Sequence, residues 1–417
     1  MDNWAQQVEA KLFSLTAKGI KFDLERIRSA AAAIGNAQNS CRTIHVAGTN
    51  GKGSTCAFIE SALRSAGYRT ALFTSPHIVS FAERFRIDGA IVTEKQWLDV
   101  YEDLADLISL NKLTFFEAAT LIAFELFRRE KVEWAVYETG MGGRLDATNI
   151  INPDLSVITR VAMDHREFLG ESLEAILGEK LGIVKPQTPL VIADPLDDNL
   201  RGVVMARCER LHAPCTMVGQ SQITDLHSDE SKTVFLRNGV KYELSLAGDF
   251  QAENALLAIV ALERCGAELT SEEVRSGLRK TRVSGRLDHF DIQGKRFIFD
   301  VGHNPDAATL VCGQLSSRYP KETLCIVTGI MADKEYSKMV PGYALCANHV
   351  IVARPQIARA ATSEQLAAWI PPAQCTVCSD VASAIDSALL RKEGVICVAG
   401  SFHTVGEAFM KLGIRPV

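Results

Sequence analysis

Long hydrophobic runs are missing from this 417-residue chain. No apolar stretch approaches the roughly 18 residues of a membrane-spanning helix, so no membrane partner is expected. The opening residues, MDNWAQQVEAKLF, lack a basic head followed by an apolar core, which leads to the expectation of a cytoplasmic address. Excess charge of one sign is lacking too. Lys and Arg number 45 against 50 Asp and Glu, and the net charge of -5 gives no overall basic field for nucleic acid or anionic lipid. An anionic ligand must then be held by local features. Short-period repeats and low-complexity segments are absent, so a solenoid is not indicated. Cysteine is present without a framework: eleven residues, an odd number, are scattered through apolar stretches, as at Cys56, Cys265, Cys325 and Cys397. That pattern suits reduced thiols used as small hydrophobes. Cys375 and Cys378 form the one CxxC, but no second pair lies nearby and Val377 sits in an apolar run, which disfavours metal or redox chemistry there.

What the chain does have is size and apolar content for two cores, with 47% hydrophobic residues. It is organised around Thr43 to Ala66, TIHVAGTNGKGSTCAFIESALRSA. A short apolar run, a loop with three glycines and a lysine, and an alanine-rich amphipathic segment predict a strand, a phosphate-gripping loop and a helix. Gly48, Gly51 and Gly53 let the backbone approach an anion, Lys52 supplies a point charge, and Ser54 or Thr55 can reach a metal. Gly48 and Gly51 are separated by two residues rather than the usual four, so this is a variant of the nucleotide loop. A glycine-rich turn without a ligand is the competing reading.

Apolar spacing predicts helices over 5–15 and 24–34, then near 93–110 and 114–130. Strands are predicted at 70–73, 134–137, 155–159 and 189–193, with a helix over 198–211. This alternation predicts a mostly parallel sheet covered on both faces. Phe81 to Ile87, FAERFRI, reads either as a mobile substrate loop or as a plain exposed turn. Residues 214–247 change to short alternating runs and are expected to form a small antiparallel appendage. Helices near 253–265 and 271–279 close the first domain, expected to span 1–284. A fresh alternation, with strands at 296–300, 324–328, 349–353 and 395–399, predicts a smaller Rossmann-like α/β domain over 285–417.

Helix dipoles contribute only about 0.3–1 kcal/mol each at exposed sites, whereas enzymes lower barriers by at least about 8 kcal/mol. The loop alone thus explains binding and not turnover. Charge compensation on a transferring phosphoryl group points to Lys52 with one or more magnesium ions. Ser75, Glu138 and His165 each lie just beyond a predicted strand and are candidate ligands, His165 being the odd member for a hard cation and open to a structural role. In the second domain Arg286 lies in SGRLD, and Asp300, His303 and Asn304 lie in DVGHNP, where a capped helix start is an alternative explanation. Gln251 and Asn254, before an alanine-rich helix, can read an adenine edge.

In this order, HVAGTNGKGST, TSPH, ERFRI, TFFE, ETGMGGRLDATN, DHREFLG, EKLGIVK, QAENA, SGRLD, DVGHNP and GSFHTVGE resemble the folylpolyglutamate synthase and dihydrofolate synthase family, within the Mur ligase group of ATP-dependent amide-forming ligases. The resemblance spans nearly the whole chain and is most like the bifunctional bacterial enzymes. It implies phosphorylation of a carboxylate by ATP and displacement of the phosphate by the amine of L-glutamate, with dihydropteroate or reduced folates as acceptors. A monofunctional folylpolyglutamate synthase is the alternative within the class; a nucleotide switch or binding protein without ligase activity is the alternative outside it. By resemblance, Thr49, Asn50, Gly51, Lys52, Gly53 and Ser54 hold the ATP phosphates. Asn254, Arg286, Asp300 and His303 belong to the nucleotide site, and Ser75, Glu138 and His165 bind magnesium. Lys180 matches a lysine that carries a carbamate able to ligate a second magnesium, although the bare amine can instead pair with a nearby acid. Phe116, Glu117, Leu145, Asp146 and Ala147 match the pterin pocket. A monomer is expected. Leu181 and Gly302 stand where alanine is common in the family, which puts the packing beside Lys180 in question.

Overall fold

Strand β1 (Arg42–Ala47) runs through the middle of its sheet and is buried from Thr43 to Ala47. The structure is a computed structural model that describes residues 2–15 and 23–417. A parallel strand covered by helices on both faces has no solvent side, which is why this run shows no apolar–polar alternation. Its one imidazole, His45, meets Thr148 Oγ1 through Nε2 at 2.8 Å, while Nδ1 is buried without a partner among the described residues. Beside β1 stand β2 (Thr70–Phe73), β3 (Phe85–Ile87), β4 (Ala90–Ile91), β5 (Trp134–Glu138), β6 (Leu155–Ile158), β7 (Leu190–Ala193) and β8 (Cys215–Val218). Their order is β4-β3-β2-β5-β1-β6-β7-β8. Neighbours from β2 to β8 are parallel, while β3 and β4 add an antiparallel edge. The connection leaving β1 goes to one side, to β2, and that leaving β5 goes to the other, to β6. Such a reversal opens a crevice at the carboxyl end of β1, where α/β sheets bind ligands.

The helix Lys52–Ser65 starts at that end and is buried along most of its length. The helix Ser271–Lys280 meets it at Gly277, where an added Cβ would stand 2.4 Å from Ala62 Cα and 2.5 Å from Ala62 N. Ser61 Oγ donates to the Gly277 carbonyl at 2.8 Å. Only a residue without a side chain permits this approach. The helix Phe115–Arg129 begins with a capping box between Thr114 and Glu117, and its Phe124 and Phe127 pack around Tyr137 of β5.

Two stretches depart from the sequence reading. Phe81 to Ile87 is neither a loop nor an exposed turn. Phe81–Arg84 forms a short 3-10 turn capped by Ser80, Phe81 to Phe85 are buried, and Phe85 pairs with Phe73 in the sheet. Cys215–Val218, grouped by the sequence with the small appendage, is instead the edge strand of the large sheet, parallel to β7. The small sheet itself comprises β9 (Thr224–Ser228), β10 (Thr233–Arg237) and β11 (Val240–Leu244), in the order β11-β10-β9. Asn238 and Gly239, at φ 51° and 75°, make the two-residue turn that folds β10 back into β11.

The chain divides into two compact units. The first holds Met1–Thr224, Arg237–Tyr242 and Glu253–Thr281, and the second Asp225–Leu236, Glu243–Ala252 and Arg282–Val417. In the second, β12 (Arg286–Ile292), β13 (Lys295–Asp300), β14 (Leu324–Thr328), β15 (His349–Val352), β16 (Cys375–Val377) and β17 (Val395–Ala399) form a sheet of order β12-β13-β17-β14-β15-β16. It is parallel except for the β12–β13 pair. Ile298, Ile326, Val350, Cys397, Met339 and Tyr343 lie in one of its cores. The eleven cysteines are free thiols, and among the described residues no helix is long and apolar enough to cross a membrane.

The Gly277 contact is testable. Gly277→Val places a branched side chain against the Ala62 backbone and is expected to cost about 2–3 kcal/mol, read as a lower urea midpoint with an unchanged slope. A midpoint equal to the parent's would show that the two helices can separate freely.

Candidate active site

The loop after β1 is held by steric and hydrogen-bonding constraints. Gly48 has φ 153°, and a Cβ there would lie 1.8 Å from Thr159 Oγ1. Gly51 has φ 87°, and a Cβ would lie 2.1 Å from Asn254 Oδ1. No side chain fits at either position. Thr49 N and Asn50 N both donate to the Arg160 carbonyl, at 2.9 and 3.3 Å, and Thr159 Oγ1 donates to the Asn50 carbonyl at 2.7 Å. Thr49 Oγ1 accepts from Ala162 N at 3.1 Å and lies 3.1 Å from the Ala162 carbonyl. The loop is thereby laced to the end of β6. Thr55 N bonds the Gly51 carbonyl at 2.9 Å, so the N–H groups of Lys52, Gly53 and Ser54 precede the first intrahelical bond. These are the donors a helix N-terminus offers an anion.

Two lysines converge on one carbonyl. Lys52 Nζ donates to Gly48 O and Thr49 O, both at 3.2 Å, and Lys180 Nζ donates to Gly48 O at 2.8 Å. Lys180 is 2% exposed and makes no ion pair among the described residues, in contrast to the acid pairing that the sequence left open. Burial, aided by the Lys52 charge, pulls its pKa down to about 7, with Asp164 and Asp146 opposing. Leu181, the departure beside it, is buried with Leu177, Ile183 and Val184, so the larger side chain is accommodated.

Glu138 ends β5 beside the end of β2 and is 4% exposed; its Oε2 accepts from Ser75 N at 3.1 Å. His165, at φ 50°, caps a short helical turn, with Nε2 3.8 Å from Asp164 Oδ2. A buried carboxylate and a hydroxyl are hard oxygen donors that suit a small divalent cation, and one imidazole is compatible with magnesium or manganese. The donor chemistry therefore fits a divalent metal.

Next to these strand ends lies a cavity of about 380 Å³ in the first unit. Ser75, Arg84, Phe115, Phe116, Glu117 and the 140–147 stretch, including Leu145, Asp146 and Ala147, contribute to its walls. Phe116 packs against Gly140, where a Cβ would come within 2.7 Å of the ring. Asp146 accepts from Gly140 N at 2.8 Å, Met141 N at 3.0 Å and Thr148 N at 3.0 Å. Burial raises its pKa, and hydrogen bonds from Thr148, Met141 and Gly140 oppose the rise. Glu117 serves the capping box and pairs with Arg26 at 3.1 Å. Sequence reasoning missed Arg84. It is 5% exposed, and burial pulls its pKa down to about 10, with Glu138 and Glu83 pulling the other way. The signal available was an arginine between two phenylalanines, which a solvated turn would not need.

In the second unit, Arg286 and Asp300 pair across β12 and β13. Asp300 is 3% exposed, accepts from Gly302 N at 2.8 Å, and has its pKa raised by burial against the pull of Arg286. Asp288, unremarked in the sequence, is pushed up to about 7 by burial, with the Asp300 charge adding and the Gly285 N–H and Arg286 opposing. His303 Nδ1 lies 3.1 Å from the Val301 carbonyl. Asn304 caps the helix Pro305–Arg318 through Ala307 N at 2.9 Å, so the capped-start explanation holds for that residue. A Cβ at Gly302 would sit 2.9 Å from Asp300 Oδ1.

The Mur ligase middle domain matches residues 46–262, and the glutamate ligase domain of Mur ligases matches 285–402. The chain is 30% identical to the dihydrofolate synthase/folylpolyglutamate synthase of Escherichia coli over 99% of its own length and 96% of that protein's. It superposes on a folylpolyglutamate synthase from Mycobacterium tuberculosis complexed with ADP and AMPPCP, with TM-score 0.90, 29% identity and 99% of each chain covered. A bifunctional folylpolyglutamate synthase/dihydrofolate synthase with Mn, AMPPNP and L-glutamate bound gives TM-score 0.84 at 28% identity, covering 97% of this chain and 98% of that one.

The Lys180 amine predicts a pH signature. An unfolded lysine keeps its proton to about 10.5, whereas Lys180 gives it up near 7. Between those values the unfolded state binds more protons, so this group's destabilising effect is full below pH 7 and fades as pH rises. Lys180→Met is expected to be more stable than the parent at pH 6.5, with the gain shrinking by pH 9 in urea titrations in carbonate-free buffer. A pH-independent gap would show that the amine titrates normally.

Proposed function

We propose, for a chain that belongs to the dihydrofolate synthase/folylpolyglutamate synthase family of Mur ligases, that it joins L-glutamate to dihydropteroate and to reduced folates at the expense of ATP. The carrying observation is the cavity walled by Phe116, Asp146 and Ser75, whose lining also includes Glu179, the neighbour of the Lys180 that bonds the Gly48 carbonyl. An aromatic face with a carboxylate suits a flat heterocycle with donor edges. The dihydropteroate carboxylate would attack the γ-phosphorus, releasing ADP and leaving an acyl phosphate. The glutamate amine then attacks the acyl carbon, phosphate departs with the former C–O bond electrons, and the amine loses a proton as the amide forms.

Lys52 and the N–H groups of Lys52, Gly53 and Ser54 would bind the phosphates, Thr49, Asn50 and Gly51 shaping the loop that presents them. Phe116, Glu117, Leu145, Asp146 and Ala147 would hold the pterin, and Asn254, Arg286, Asp300 and His303 would contribute to nucleotide recognition. Ser75, Glu138 and His165 would hold magnesium, which supplies positive charge to phosphoryl oxygens when bound. The neutral amine of Lys180 is the form that adds carbon dioxide, and a carbamate there would turn a cation into a ligand for a second ion. The chain would act in the cytoplasm as a monomer, its domains dividing near residues 284 and 285.

Sustained, multiple-turnover ADP release is expected only when magnesium, ATP, dihydropteroate and glutamate are all present, with dihydrofolate detected by mass spectrometry. Release indifferent to both acceptor and amine, with no glutamylated product, would favour a nucleotide switch and overturn the ligase reading. Product from mono- and diglutamyl folates but not from dihydropteroate would assign the monofunctional activity. Lys52→Ala should lower kcat by about 100-fold or more at an unchanged melting temperature. Near-normal turnover would remove Lys52 from phosphate binding.

A further inference from the structure

The acidic groups around the cavity are already engaged. Asp23 and Glu117 pair with Arg26 at 2.8 and 3.1 Å, and Glu179 pairs with Arg144 at 2.8 Å. Asp146 is occupied by backbone N–H groups and by the Thr148 hydroxyl. Arg84 is different. It lines the same cavity, is 5% exposed, and forms no ion pair among the described residues. Among the described residues its guanidinium makes one hydrogen bond, from Nε to His77 Nδ1 at 2.9 Å, and it lies over the faces of Phe115 at 5.0 Å and Phe81 at 5.9 Å. The acids nearest it in electrostatic effect, Glu138 and Glu83, are outside pairing distance, and Glu83 accepts from Ile78 N, Val79 N and Ser80 N.

A buried permanent cation is costly without a counter-charge. Here aromatic faces and one imidazole nitrogen hold it in place, while its other N–H donors meet no partner among the described residues, which leaves them for a carboxylate. Its position is also set by the backbone. Thr74 N donates to the Arg84 carbonyl at 3.1 Å, which puts Arg84 beside Ser75 and hence beside the N–H that Ser75 gives to Glu138.

We propose that Arg84 is a specificity-determining residue of the acceptor site: its guanidinium receives the dihydropteroate carboxylate that is to be phosphorylated and keeps it beside Ser75. This rests on the proposed acceptor. The arginine selects acids over carboxylate-free pterins and shields the attacking oxygens from competing hydration before the nucleotide arrives.

The test compares equilibrium binding of dihydropteroate with that of its analogue lacking the benzoate carboxylate, by calorimetry, on the parent, Arg84→Met and Arg84→Lys. The parent should prefer the acid by about 30-fold. Arg84→Met should lose that preference to within about 3-fold while binding the carboxylate-free analogue as the parent does. ATP affinity should not change. If the methionine variant fails to fold by thermal melt, Arg84→Lys decides: the inference expects a reduced preference for the acid and a raised acceptor KM at an unchanged ATP KM. Parental preference in whichever variant folds would overturn the role of Arg84 alone, provided the parent still makes dihydrofolate. A parent that neither binds dihydropteroate nor glutamylates it would overturn the proposed acceptor and this inference together.

Discussion

One carbonyl oxygen, that of Gly48, receives two lysine amines from different parts of the chain. Much of the first unit's chemistry follows from that convergence. Two ammonium groups on one acceptor, one of them fully buried, repel each other in a medium that screens poorly. Burial, aided by the Lys52 charge, lowers the Lys180 pKa to about 7, while Lys52 is only half-buried. The shared carbonyl thus joins two lysines that differ first in burial and second in like-charge contact. It also explains the glycine, since any side chain at position 48 would strike Thr159 and displace the carbonyl that both amines use.

The cavity of the first unit has a matching logic. Its carboxylates neither float in solvent nor face one another; each is neutralised by an arginine or by backbone donors. Asp146 shows how this is done without losing a polar wall, because three N–H groups hold a carboxylate whose burial would otherwise favour protonation. The wall is therefore preorganised before any ligand enters, and a ligand need not pay for its rearrangement. Arg84 is the exception in the same wall, a cation whose surroundings fix its place but not its charge.

The elements most legible in the sequence were those buried on both faces. The runs at 43–47, 134–138 and 324–328 are buried throughout and mostly apolar because parallel strands between helices have no exposed side, and Glu138 sits where such a strand stops. Edge elements were harder to read. β8 and β3 carry Thr, Arg and Glu neighbours that resemble a hairpin or a turn, and only their parallel and antiparallel partners settle where they belong. Arg84 was lost for the same reason: its burial comes from Phe81 and Phe115, and Phe115 is remote in sequence. Asn304 misled in the opposite direction, since a polar residue beyond a strand also describes a helix cap.

The short glycine spacing then has a physical meaning. Two residues rather than four separate Gly48 from Gly51, so the loop is short. It is tied down along its whole course, with Thr49 and Asn50 bonded to the end of β6 and Gly51 pressed against Asn254. A loop tied in this way offers helix N–H groups and one lysine at fixed positions, and it leaves the Gly48 carbonyl turned toward Lys180 rather than toward solvent. Gly48, which carries the carbonyl, and Lys52 are four positions apart in one turn. Because the Lys52 charge helps lower the Lys180 pKa, a counter-charge placed on Lys52 would raise it.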